Sequence, residues 1–186
     1  MKVLAANVGS TSLKFKLFEM PEETALCEAK IERVGSRDKA IFAYGNLVAG
    51  KHYRLEGQCI PDYTTGIRMF LDALVSGEYG VIKSVSEIDR IGFKTVLSKG
   101  FYGVHELTDE VMEGMRQYLF IAPVHNAAYL EAIGQFDSLL PDVPKIGVFE
   151  TAFHTTIPTE RRIYGVPYEW YEKYGLMRMG YHGASH

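Results

Sequence analysis

The chain has 186 residues, 47% of them apolar and 23% charged, and a formal net charge of −3 at pH 7. That balance belongs to a globular chain with one sizeable core, and scattered Lys and Arg argue against nucleic acid as the main partner. No run of 18 apolar residues is present to cross a membrane, and no apolar leader with a small-residue cleavage site follows Met1-Lys2, so secretion is not expected. Cys27 and Cys59 lack metal or redox spacing. Each is expected to be a small buried apolar residue in a reducing compartment.

The first element is an apolar run, Val3 to Ala6, followed by a polar turn, Asn7 to Ser12. An alternating run follows, with Leu13, Phe15 and Leu17 on one face and Lys14 and Lys16 on the other. This reads as a β-hairpin. Its turn offers an amide, three hydroxyls, a glycine and a nearby lysine, the groups that hold a phosphate. An ordinary solvated hairpin turn has the same composition. Residues 25–34 fit strand or helix, and the neighbouring hairpin favours a third strand. Gly35 to Lys39 reads as a turn, and Ala40 to Tyr44 and His52 to Leu55 as short strands around a Gly-rich loop. Tyr63 to Val75 has helical spacing, with Ile67, Phe70, Leu71 and Leu74 on one face.

Ile88 to Val96 reads as a buried strand. Thr108 is an N-cap candidate for an acid-led helix running to about Phe120. Pro123 precedes another helix, roughly His125 to Phe136. Lys145 to Phe149 is a short apolar strand, Tyr168 to Tyr174 a short helix or turn, and Leu176 to Tyr181 a possible last strand. Meandering strands followed by alternating helices and strands imply an α/β domain, a mixed β-sheet flanked by helices. Ligands on such sheets sit near strand ends. The first hairpin turn and the ends of strands 88–96 and 145–149 would then converge on one cleft. The chain stops on a polar, Gly-rich segment, Gly180-Tyr181-His182-Gly183-Ala184-Ser185-His186, where a natural domain rarely finishes.

Five segments carry the chemistry. They are Asn7-Val8-Gly9-Ser10-Thr11-Ser12-Leu13-Lys14, Ile91 to Gly100, Ala122-Pro123-Val124-His125-Asn126-Ala127-Ala128-Tyr129-Leu130, Val148 to Pro158 and Gly180 to His186. In this order they resemble the N-terminal half of the acetokinase family, the acetate, propionate and butyrate kinases. The resemblance covers Lys2 to His186 and makes residues 1–186 one N-terminal domain, without the family's C-terminal nucleotide-binding domain. It implies a ribonuclease-H-like domain of the actin, hexokinase and Hsp70 type. It also implies transfer of the γ-phosphoryl group of ATP to a short-chain carboxylate, with Mg²⁺, in a cytoplasmic enzyme that is a homodimer at full length. No nucleic acid or membrane partner is implied.

Carried over residue by residue, the resemblance makes Asn7, Ser10, Ser12 and Lys14 the phosphate- and ATP-binding set, and Asn7 and Glu150 the metal-holding pair. Glu150, His182 and His125 become the catalytic residues and Lys94 the substrate-binding residue. His154 and His186 are supporting residues, while His52 and His105 match nothing and are expected at the surface. For each histidine, a core or helix-capping role is the alternative.

Beside a changed Gly92-to-Lys99 segment and a mild change at Gly180 to His186, three departures from the family pattern bear on the chemistry. Its substrate-side arginine is Lys94, which cannot make the two-pronged guanidinium contact. Its aspartate is Glu150, one methylene longer. Its Asn-Pro is Asn126-Ala127. The alternative to a divergent acyl kinase is therefore a family member that binds nucleotide but no longer transfers phosphate, acting as a regulatory or interaction protein. With the second domain missing, the isolated chain is expected to be inactive.

Overall fold

The computed structural model describes residues 1–183 and 185–186; Ala184, within the terminal motif, lies outside the described residues. The alternation of the first segment folds as expected. Strand β1 (Lys2–Gly9) pairs antiparallel with β2 (Ser12–Glu19), and the Gly9–Ser12 pair closes the hairpin over Ser10-Thr11. Leu4, Ala6, Val8, Leu13, Phe15 and Leu17 are buried, while Ala5, Asn7, Lys14 and Lys16 stand exposed on the opposite face. At the turn a Cβ on Gly9 would sit 2.7 Å from Ser12 Oγ, so the crossing favours glycine.

The meander continues through β3 (Thr24–Glu32), β4 (Ser36–Asn46) and β5 (Lys51–Ile60). The ambiguous 25–34 segment is a strand. The turn expected at Gly35–Lys39 shrinks to a bend at Gly35 (φ 97°), because β4 already pairs from Ser36, opposite Ile60. The two short strands expected here are longer than their apolar cores. Arg37, Asp38 and Lys39 on β4 and most of β5 face water, so polar residues extend the ladder where hydrophobic periodicity gives no signal. Cys27 is buried as expected, but Cys59 is exposed on this edge strand.

Helix α1 (Tyr63–Val75) begins at Asp62, whose carboxylate accepts the Thr65 N–H at 2.7 Å. A single 3₁₀ turn, Val85–Glu87, leads into β6 (Ile88–Thr95), which pairs parallel with β1. After it come β7 (Gly103–Glu106), α2 (Asp109–Gln117), α3 (Pro123–Leu139), β8 (Lys145–Phe149), α4 (Thr159–Arg162) and α5 (Tyr168–Tyr174). The eight strands form one mixed sheet, ordered β5-β4-β3-β2-β1-β6-β8-β7. Edge strand β7 and the single turn of α4 carry no sequence signal. β7 has four residues, none buried, and α4 has no buried residue. The strand expected at Leu176–Tyr181 reduces to isolated bridges, Ile163 to Met177 and Ala152 to Gly180.

Helices α1 and α3 pack together on the buried face of the central strands. Phe15 stacks on Phe70 of α1 at 4.4 Å between ring centroids and meets Phe136 of α3 edge-on at 5.9 Å; Phe93 of β6 meets Phe136 at 5.6 Å. Each of these four rings is fully buried and contributes ~2 kcal/mol of transfer free energy. This aromatic cluster holds the C-terminal half of α3 against α1 and the central strands.

Candidate active site

Parallel strands β1, β6 and β8 end on one side of the sheet, and the chain leaving each end lines one cavity of about 560 Å³. β1 contributes Asn7, β6 contributes Lys94, the exit of β8 contributes Glu150, the first turn of α3 contributes His125, and the terminal loop contributes His182. Five of the eight site residues expected from sequence therefore line one cavity. Crevices at strand ends are where open sheets take ligands.

Glu150 is the best-defined group. It follows the last residue of β8, and its backbone N–H donates to Thr95 O at 3.3 Å while Thr151 Oγ1 donates to Val96 O at 3.2 Å. The exits of β6 and β8 are thus tied together, and the Glu150 side chain is only 4% exposed. Its Oε2 lies 3.2 Å from Nζ of Lys94, a side chain that is 46% exposed. No other ion pair or side-chain hydrogen bond reaches the Glu150 carboxylate among the described residues. The terminal loop closes against the same exit. A Cβ on Gly183 would run into the Glu150 carbonyl oxygen and lie 2.7 Å from Phe153 Cβ, so only glycine permits this approach. His182 beside it is held at φ 58°, the left-handed region, a conformation that costs an L-residue ~1 kcal/mol and collects at functional sites.

His125 projects from the third position of α3 and is exposed, while Asn126 beside it is completely buried. Asn126 Nδ2 donates to Leu97 O at 3.0 Å and to Met115 O at 2.9 Å, stitching the β6 exit to the end of α2. The residue next to the candidate catalytic histidine is therefore a structural clamp.

Ser10, Ser12 and Lys14 do not line this cavity. Ser10 is exposed at the hairpin turn, and Lys14 faces Asn7 across the hairpin, on the open face of the sheet. Of the other histidines, His154 is half-buried with an unpartnered Nδ1, His186 lies 5.3 Å from the Phe153 ring, and His52 is exposed. His105, expected at the surface, is half-buried. Its Nε2 is 2.8 Å from Tyr102 O and its ring meets Phe101 edge-on, because β7 tucks it against β8.

Two tyrosines to which the sequence assigned no role hold the hairpin. Tyr63 of α1 donates to Gly9 O at 2.8 Å. Tyr129 of α3 accepts the Val8 N–H at 3.4 Å and donates to Asn7 Oδ1 at 3.3 Å. Burial pushes the Tyr129 phenol up to about 12, so it is a protonated donor at neutral pH. Aromatic content alone reads as core; only the fold brings these hydroxyls to the turn.

Among the described residues, no cluster of three or more His, Cys, Asp or Glu forms a metal cage. Mg²⁺ bound to a nucleotide needs only one or two protein carboxylates, the remaining ligands being phosphates and water. Glu150 puts one carboxylate at the cavity, and a donor set of that size fits a nucleotide-borne ion. No helix among the described residues is long and apolar enough to cross a membrane.

The comparisons with known proteins agree with this architecture. The chain is 44% identical over 186 residues to the acetate kinase of Geobacillus kaustophilus (strain HTA426), covering 100% of this chain and 46% of that protein. The crystal structure of Porphyromonas gingivalis acetate kinase superposes over the whole chain with a TM-score of 0.87 at 35% identity, across 46% of its own length. A propionate kinase from Francisella tularensis does so with a TM-score of 0.86 at 25% identity, again across 46%. The chain thus spans about half the length of the relatives it matches. The mixed sheet with its flanking helices has the actin-like ATPase fold. The profile described as the acetokinase family matches residues 2–186, and the chain belongs to that family.

Proposed function

We propose that this chain is the N-terminal half of an ATP-dependent acyl kinase, which moves the γ-phosphoryl group of ATP to a short-chain carboxylate and releases an acyl phosphate and ADP. The observation that carries this reading is the meeting of Asn7, Lys94, Glu150, His125 and His182 at one cavity on the strand ends. Phosphoryl transfer asks little covalent help of a protein; it needs in-line placement and neutralisation of charge. In this reading the hairpin with Asn7, Ser10, Ser12 and Lys14 binds the phosphates through N–H, O–H and ammonium donors. His125 and His182 donate ring N–H groups to the equatorial oxygens as charge builds there. Lys94 holds the substrate carboxylate, and Glu150 keeps Lys94 oriented. Glu150 would also hold Mg²⁺, which supplies charge neutralisation between the phosphates. We infer a cytoplasmic homodimer as the working form, and an isolated 186-residue chain with little turnover, since one wall of a cleft excludes little water.

The test is hydroxamate trapping of acyl phosphate, from formate to valerate, by the product of the longest reading frame that carries this chain. Acyl phosphate with at least one acid is expected, and no product with any acid overturns the reading.

The Lys94–Glu150 pair favours a second reading. An ammonium already 3.2 Å from a buried carboxylate has one partner before any substrate arrives. A family member that binds ATP with Mg²⁺ but does not transfer phosphate shows heat of binding by calorimetry with no trapped product.

A further inference from the structure

β1 outruns its parallel neighbour. The ladder between β1 and β6 ends at Ala6–Phe93, yet β1 continues to Gly9. The Val8 N–H beyond that end is buried, and Tyr129 Oη takes it at 3.4 Å. The same oxygen lies 3.3 Å from Asn7 Oδ1. A phenol carries one proton. With a lone pair engaged by Val8 N–H, its own O–H goes to Asn7, and the acceptor there is the amide oxygen. With the amide turned the other way, the phenol oxygen would face two donors and its own proton would face none, the costlier arrangement for a buried hydroxyl.

The orientation of Asn7 follows. Its oxygen is engaged by the helix, and its NH₂ group has no hydrogen-bond partner among the described residues. Asn7 is exposed and lines both the strand-end cavity and the open sheet face. Its neighbours along that row are also donors. Lys14 is its cross-strand partner, and Lys94 directly follows Phe93, the partner of Ala6. The Lys14 ammonium, the Asn7 NH₂ and the Lys94 ammonium form a row of donors for an anion, and the carboxylate beside it, Glu150, meets Lys94 at 3.2 Å.

We propose that Tyr129 is a positioning residue for Asn7, locking its amide so that the NH₂ group, and not the carbonyl oxygen, meets the ligand. Asn7 then grips a phosphate oxygen directly, and the metal is left to Glu150. This deepens the phosphoryl-transfer reading and rests on it for the identity of the anion.

The experiment is heteronuclear NMR of the 186-residue chain, following the Asn7 side-chain NH₂ pair together with the Gly9 and Ser10 backbone amides. The probes are sodium tripolyphosphate in EDTA and Mg²⁺ alone. The Asn7 pair shifts with metal-free tripolyphosphate and stays in place with Mg²⁺. In Tyr129→Phe it moves to the position of a freely rotating amide, and tripolyphosphate binds about fivefold more weakly, the equivalent of one ordinary hydrogen bond. Retained thermal cooperativity separates this from loss of fold. Should Tyr129→Phe not fold, Asn7→Asp decides: it keeps the acceptor for Tyr129 and removes both donors, so Mg²⁺-tripolyphosphate binds more weakly, whereas a metal-ligating Asn7 predicts tighter binding.

A response of the Asn7 pair to Mg²⁺ alone, or an unmoved pair in Tyr129→Phe, overturns the proposal. Movement of Gly9 and Ser10 without Asn7 overturns it and leaves the kinase reading standing. Silence of all three amides toward tripolyphosphate also overturns the proposal, and trapping of acyl phosphate by the longer protein decides the kinase reading independently.

Discussion

The Lys94–Glu150 pair makes an asymmetric prediction. At 3.2 Å the Coulomb attraction of two unit charges is ~1 kcal/mol in bulk water and ~5 kcal/mol at an effective dielectric constant of 20. Lys94 is 46% exposed and Glu150 only 4%, so the two ends of the pair sit in different solvents. Lys94→Met leaves a carboxylate buried with no partner, and the cost is about 2 kcal/mol, reduced from the value for a fully enclosed pair because the cavity admits water. Glu150→Gln removes the buried charge and returns the Lys94 ammonium to water, at a cost below about 1 kcal/mol. The double variant lands close to Glu150→Gln, which gives a coupling free energy of about 1–2 kcal/mol. Urea unfolding of the four proteins at neutral pH measures this, provided the m-values agree. If Glu150→Gln destabilises as much as Lys94→Met, or the coupling vanishes, the buried carboxylate is stabilised by something other than Lys94 and the electrostatic account of the site is wrong.

Three further outcomes follow from the packing. Gly114→Ala destabilises, although the same change in an exposed helix stabilises by ~1 kcal/mol, because a Cβ on Gly114 of α2 would lie 2.9 Å from Lys99 O and collide with Ser98 Oγ; a raised melting temperature contradicts this. Asn126→Ala strands the buried carbonyl of Leu97 and weakens the contact to Met115 O, costing about 2 kcal/mol and lowering the melting temperature by ~6 °C for a chain of this size. Glu87 accepts the Lys83 N–H and meets Lys2 Nζ, which together hold its carboxyl below the usual glutamate range. A carboxyl lowered by folding contributes stability that is full above its unfolded pKa and is lost as pH falls through the folded one. The urea midpoint of the parent should therefore fall on acidification, and that of Glu87→Gln should fall less. Equal slopes remove Glu87 from the acid response.

Much of the fold was legible because most of its elements obey a single period. The hairpin alternates every second residue, and α1 repeats its apolar face from Ile67 to Leu74. Both formed where their patterns said, and the capping residues Asp62 and Thr108 fixed the helix starts. Legibility failed where water removes the pattern. Residues 36–39 and 56–59 extend β4 and β5 with polar side chains, since a ladder needs backbone groups and not apolar ones. β7 is held by a neighbour distant in sequence, and four residues give no period to read.

The site divides along the same line. Asn7 stood out because it opens a turn of phosphate-holding groups, and Lys94 and Glu150 because the family resemblance falls on them; in the fold the first two lie in the last residues of β1 and β6 and Glu150 directly follows β8. What could not be named is what these residues do to one another. Lys94 and Glu150 are 56 positions apart, yet β6–β8 register puts their charges within contact distance. Asn7 and Tyr129 are 122 positions apart, and only α3 lying against β1 brings the phenol to the amide. A residue type states which groups are available. The partner it meets decides which of them stays free, so a single asparagine reads from sequence as metal ligand or phosphate donor alike. The Asn7 oxygen accepts a proton from Tyr129, and the physical difference between those two roles rests in that one hydrogen bond, carried by a helix that lies outside the Asn7-to-Lys14 turn.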